Sequence, residues 1–189
     1  MTKKRLTRKW VPVYNVRSVA ALFGIGYTAE EVHSFRQPPD LVEGYITFFD
    51  PGWSIVRLRE FARDKGKLFY RQDWYDDGQP FATLGESPRY RQLRMEAAKD
   101  SFGKTFAEQQ KLLLPDEEIP LARVVVAGIV THFLVMGERL FPTYIRCADK
   151  SADGNRVLVG GFDALGLLVG GGWDGRRYGS LGVAAARKF

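Results

Sequence analysis

The apolar positions along the chain change period several times, and each change predicts an element. Val19 to Phe23 recur at helical spacing behind Ser18, a residue suited to cap them, and Gly24 and Gly26 are suited to end that helix. Thr28-Ala29-Glu30-Glu31 has the form of a capping box, in which the Thr28 hydroxyl accepts from the Glu31 amide and the Glu31 carboxylate accepts from the Thr28 amide. Tyr27 and Val32 fall where a hydrophobic staple packs, and Pro38-Pro39 stops the helix. Gly44 to Phe49 reads as a strand. Asp50 and Pro51 then read as the cap and first turn of a helix that buries Ile55, Leu58, Phe61 and Ala62, with Gly66 ending it.

Lys67 to Trp74 and Phe81 to Leu84 read as two strands joined by a turn through Asp76-Asp77-Gly78-Gln79-Pro80. Ser87-Pro88 repeats the cap-then-proline pattern and predicts a helix running to Ser101, followed by another over Thr105 to Leu114. Leu121 to Leu140 is the main apolar segment. Its β-branched residues Val124, Val125, Val126, Ile129 and Val130 suit a strand, but its length decides for a helix, because strands run about 5 to 6 residues. After Pro142 the pattern becomes a β-meander: Thr143 to Ala148, Arg156 to Gly161 and Leu167 to Val169, with turns at Ser151 to Asn155 and Asp163 to Gly166. Gly170-Gly171-Gly172 reads as a tight turn or a close backbone approach, and Leu181 to Phe189 as a short strand or helix. Strands and helices come in blocks, so the expected fold is α+β: helices packed on antiparallel sheet, with a C-terminal β-meander.

Composition narrows the class. At 189 residues, with 45% hydrophobic and 13% aromatic content, the chain can bury a substantial core. No repeat or Gly/Ser linker divides it, so residues 11–189 are expected to form one domain behind a basic tail over residues 1–10. Cys147 stands alone, which favours a reducing, cytoplasmic setting over a disulfide-stapled one. No apolar run of signal-peptide length follows the basic start. Val124 to Met136 is the one membrane candidate, and its 13 residues fall short of the roughly 20 needed to span. A buried helix is expected there, and no membrane partner.

Net charge is +6, but its distribution carries more information. Residues 1–10 hold Lys3, Lys4, Arg5, Arg8 and Lys9 with no acid; residues 176–189 hold Arg176, Arg177, Arg187 and Lys188 with no acid. The body between them carries 19 basic and 22 acidic side chains. Any polyanion site is therefore expected at the ends, unless folding gathers Arg57, Arg59, Arg63, Lys65 and Lys67 into a second patch. Cationic ends can hold nucleic acid or an acidic protein surface by counterion release, or simply aid solubility.

Other candidates are weighed against blander uses. His132 in the apolar helix and Cys147 on the following strand are the residue types of a base–nucleophile pair, but equally of a hydrogen-bonded core histidine and a small buried thiol. With Asp163 and Asp174 they are the catalytic candidates, for a small enzyme whose pocket lies between the 121–140 helix and the C-terminal strands. Asp73, Asp76 and Asp77 gather near a turn that favours Asp-Gly for backbone reasons. Gly103-Lys104-Thr105 is no phosphate loop, because Ala98 stands where that loop needs glycine. Asp149, Ser151, Asp153 and Gly154 resemble the start of a calcium loop, but Gly160 replaces the closing glutamate and a polar hairpin turn explains them. Val19 to Phe35 has the outline of a helix-turn-helix, with Glu30 and Glu31 where phosphates would lie. Phe69-Tyr70-Arg71 with Trp74-Tyr75, and Arg89-Tyr90-Arg91 with Arg94, interleave aromatics with arginines as base-stacking surfaces do, although strand alternation sends half of such aromatics to the core.

No cofactor and no metal is expected. The leading expectation is a non-enzymatic binding or accessory protein using its basic ends. The alternatives are the small enzyme and a structural subunit, the last marked by a large exposed apolar patch.

Overall fold

The centre of the molecule is the helix α6 (Ala122–Met136), whose residues from Ala122 to His132 are all buried. The computed structural model describes residues 11–38, 40–65 and 68–189. A helix apolar on every side must be covered on every side. Here β2 (Tyr45–Asp50) and β3 (Arg89–Arg94) pack on it from one sheet, and β5 (Tyr144–Lys150) and β6 (Arg156–Asp163) from another. Gly128 marks the closest approach: a Cβ there would stand 2.8 Å from Leu93 Cδ2 and 3.2 Å from the Phe48 ring. The helix ends where Gly137 takes a left-handed conformation at φ 72° and donates its N–H to Phe133 O, short of the predicted Leu140.

The first sheet has the order β1-β2-β3-β9-β4, with β1 (Val13–Tyr14), β4 (Glu117–Glu118) and β9 (Ala186–Arg187) completing it. The second has the order β7-β6-β5-β8, with β7 (Gly166–Gly172) and β8 (Leu181–Val183) at its edges. The predicted meander is present as β5, β6 and β7, each antiparallel to the next. Each sheet is nevertheless mixed, because β1 runs parallel to β2 and β8 parallel to β5. The class is α+β.

Local differences from the sequence reading have physical causes. Helix α1 (Val16–Phe23) starts three residues early because Val16, Val19 and Phe23 form its buried face; Asn15, not Ser18, caps it, accepting from Ser18 N at 3.0 Å. The Thr28–Glu31 capping box of α2 (Ala29–Ser34) is formed as read. Asp50 does not open a helix. It ends β2 as a buried carboxylate, and Ser54 caps α3 (Ile55–Ala62) instead. Residues 68–74 pair with β7 only through a bridge at Phe69 and Leu167, and Pro80–Thr83 is a short helix, α4, not a strand.

The helix expected from Ser87-Pro88 is β3, a strand. Pairing with β2 along its whole length, from Tyr45–Arg94 to Asp50–Arg89, overrides the local cap-and-proline signal. α5 (Phe106–Gln110) is shorter than predicted but carries its own capping box, Thr105 with Glu108. Gly170 to Gly172 are the end of β7, not a turn. The predictions resting on Pro39, Gly66 and Lys67 lie outside the described residues.

Candidate functional site

The structure does not bring the predicted catalytic residues together. His132 is wholly buried, with Nδ1 2.7 Å from Tyr14 Oη and Nε2 3.4 Å from Glu138 Oε2, the latter long for a hydrogen bond. Burial holds the imidazole below its ordinary pKa against the pull of Glu138, and burial with Glu138 pushes Tyr14 up to about 12. Cys147 is sealed in the core. Burial, and then Asp149, raise its thiol well above the usual range, so it is no thiolate nucleophile at neutral pH. Asp163 caps the β6–β7 turn by accepting from Leu165 N at 2.7 Å. Asp174 is clamped by Arg156, whose Nε and Nη2 donate to its two oxygens at 2.9 and 3.0 Å.

A cavity does open between the start of α6 and β9, with a volume of 250 Å³. Its polar lining is Glu86, Arg89, Arg91, Glu118 and Arg187, none of the four predicted residues. Beside it Arg123 donates to both oxygens of buried Asp50 (3.0 and 2.9 Å) and to Glu86. Burial favours protonation of Glu86, but Arg123 and Arg91 outweigh it and hold its carboxyl below the usual range. Glu86 is thus paired with Arg89, Arg91 and Arg123. Among the described residues no group of three or more His, Cys, Asp or Glu is placed to hold a metal, and no helix is long and apolar enough to cross a membrane.

The cationic residues divide. Lys3, Lys4, Arg5, Arg8 and Lys9 lie outside the described residues. Arg187 and Lys188 are engaged on the first sheet, Arg187 with Asp116 at 2.9 Å and Lys188 with Pro115 O at 3.1 Å. Of the second patch, Arg57 lies over the Trp53 ring and Lys65 over the Phe61 ring. Arg176 and Arg177 go elsewhere, to a groove of 1240 Å³ along the edge strand β7.

That groove has three parts, each with a local cause. Its floor is Leu168 to Gly172, where three successive glycines carry no side chains of their own, Leu168 and Leu158 lie against Gly170 and Gly172, and Gly171 is exposed. Leu167 O points outward from the edge and accepts from Tyr70 N, and Val169 O also points outward. By strand alternation the N–H and C=O of Gly171 face the same open edge. One wall is Gln72 and Trp74, whose Nε2 and Nε1 both donate to Val169 O, at 2.6 and 3.0 Å. This fixes the Trp74 indole, which remains 39% exposed.

The other wall is the segment Trp173 to Arg177. It carries Trp173, 74% exposed, and Arg176, whose guanidinium sits 4.6 Å above the Tyr178 ring. Arg177 pairs with exposed Glu108 at 2.7 Å, and that bond and the Thr105 amide hold the Glu108 carboxyl down to about 2.

Two buried arginines hold this second wall in place. Arg146 is fully buried and donates four hydrogen bonds: Nη1 to Lys104 O (2.9 Å) and Gln109 Oε1 (2.8 Å), Nη2 to Trp173 O (3.0 Å) and Arg176 O (2.5 Å). Its charge is thus solvated by carbonyl dipoles, and burial lowers its pKa. Arg156 lies 3.8 Å from the Phe106 ring centre while gripping Asp174, and its Nη1 also donates to Ala148 O. That bond network keeps Asp174 below the usual carboxylate range. The hairpin turn Ser151 to Asn155 closes one end of the groove.

Sequence reasoning flagged Trp74 and the Arg176–Arg177 pair but assigned them to different features. It missed Trp173, because the glycine run before it was read as a tight turn or close backbone approach, with the strand ending at Val169. Comparison with protein-family models, curated proteins and solved structures finds no match to this chain. The fold and the groove define its class: an α+β protein with two mixed sheets about a central helix, bearing an aromatic, arginine-edged groove on a glycine-rich edge strand.

Proposed function

We propose that this protein is a non-enzymatic binding protein, one domain over residues 11–189, that holds single-stranded nucleic acid in the β7 groove. The observation that carries the reading is the convergence of Trp74 and Trp173 with Arg176 and Arg177 over a glycine-rich floor. Exposed indoles stack bases at about 1–3 kcal/mol each without reading sequence, and guanidinium groups take the phosphates between them. Bare glycine backbone lets a strand lie close. The volume exceeds the roughly 300–1000 Å³ of small-molecule pockets, which favours a polymer. Dispersal of His132, Cys147, Asp163 and Asp174 favours binding over catalysis. Lys3, Lys4, Arg5, Arg8 and Lys9 add sequence-independent attraction, and the lone Cys147 suits a reducing cytoplasm.

The test is fluorescence anisotropy with a labelled oligothymidylate of about 12 nucleotides. Binding is expected to weaken with salt, and Trp173→Ala to weaken it about tenfold or more, as loss of one stacking platform requires. Deleting residues 1–9 is expected to lower the salt dependence while leaving the Trp173 effect intact. Unchanged affinity in Trp173→Ala would overturn the reading. So would preference for an acidic peptide, which the open Gly171 backbone groups could take as an added strand.

A further inference from the structure

Next to the groove lies a second, smaller recess of 300 Å³, walled by Arg59, Arg63 and Arg71 with Tyr70 and Gln72, and lined by no carboxylate among the described residues. Arg59 is not free: its Nη2 pairs with Asp76 and its Nη1 donates to Gln72 O at 2.6 Å. Arg63 and Arg71 are exposed and have no ion pair among the described residues. In a body whose acids outnumber its bases, two unpaired guanidinium groups at one recess are a concentration of positive charge with no internal use. Tyr70 is anchored by its own N–H to Leu167 O at 2.9 Å and leaves its ring 42% exposed beside them.

The recess adjoins the groove. Gln72 lines both, and it is fixed between them, its side chain bonded to Val169 O and its carbonyl to Arg59. Charge also selects the occupant. The segment Lys3 to Lys9 of this chain is itself cationic and would be repelled. A ligand must be anionic, and the shared lining at Gln72 favours one that already runs along the groove.

We propose that the Arg63–Arg71 recess is a phosphodiester subsite for the same nucleic-acid strand, beyond the two tryptophans, so that affinity depends on strand length. This rests on the groove reading above. Guanidinium forks match phosphate oxygens in pairs, which is why arginine rather than lysine suits such a subsite. Tyr70 offers a third stacking face at the same place.

The experiment compares oligothymidylates of about 4 and about 12 nucleotides on wild type and on Arg63→Ala/Arg71→Ala. Both positions are exposed, and circular dichroism checks that the variant folds. The variant is expected to bind the longer strand about tenfold more weakly, with the slope of log K against log salt smaller by about 1.4, two single-strand phosphate contacts at about 0.7 each. Its affinity for the shorter strand should be unchanged. If the variant weakens neither strand, or both equally, while Trp173→Ala weakens both, the recess is not a subsite and the groove reading stands. If wild type binds neither strand, the groove reading has failed and the length-dependent subsite with it. Titration with inorganic phosphate is the last arm: uptake that depends on Arg63 and Arg71 without any strand binding identifies a free-anion site and overturns the proposal.

Discussion

Arg146→Met tests whether a buried cation holds the groove wall. The methionine is similar in length, so the change removes charge and donors with little loss of volume. Four acceptors lose their donor: Lys104 O, Gln109 Oε1, Trp173 O and Arg176 O. Bonds from a charged donor are worth about 1.5–3 kcal/mol each, but the variant also escapes the several kcal/mol spent in desolvating a guanidinium. A net loss of about 3 kcal/mol follows. In a chain of this length each kcal/mol moves Tm by about 2–4 °C, so melting should fall by about 6–12 °C.

The loss should not be spread evenly. Two of the four acceptors belong to the segment from Trp173 to Arg176, which follows β7 and can rehydrate only by lifting away from residue 146. Hydrogen exchange over residues 173–180 should therefore quicken more than exchange in α6. Arg146→Lys, which keeps the charge but not the fork, should fall between the two. Melting within about 1 °C of wild type, with unchanged exchange in that segment, would refute the argument.

Arg123→Leu should cost about 1.5–3 kcal/mol in urea denaturation, because buried Asp50 loses both Arg123 bonds and is left with Arg91 Nε at 3.5 Å as its guanidinium partner. Adding Asp50→Asn to that variant should recover a large part, and equal stability of the two variants would count against a charge effect. His132 sets a pH dependence. Burial holds its pKa below the ordinary 6.5, so below that pH the unfolded chain binds a proton that the folded one refuses. Stability should therefore decline from pH 7 toward pH 5 more steeply in wild type than in His132→Gln, with parallel profiles as the contrary result.

Much of the fold was legible in the chain because it is written locally. The Thr28 capping box, the apolar run at Val124 and the alternation from Thr143 onward each declare an element by spacing alone. What failed was settled by distant partners. Ser87-Pro88 has the local signature of a helix start, yet six consecutive pairings to β2 make the following residues a strand. Asp50-Pro51 has the same signature, yet a guanidinium from residue 123 holds Asp50 in a strand.

The site was legible in fragments. Trp74 and Arg176 stood out as residue types, but what joins them is a hydrogen bond from Trp74 to Val169 O across 95 positions. Glycines carry no side-chain period, so Gly170 to Gly172 hid the continuation of β7 and with it the place of Trp173.

The last strands of the chain close both sheets. β8 pairs with β5 in one, and three residues later β9 lies between β3 and β4 in the other. A nascent polypeptide that has emerged only as far as residue 180 thus has two sheets with missing members. β4 has no neighbour, and β3 and β5 each present an open edge of the kind that pairs wrongly with other chains. Folding from the N-terminus during synthesis cannot complete either sheet before residues 181–187 emerge. The same arrangement makes a truncation before residue 181 a loss to both sheets at once.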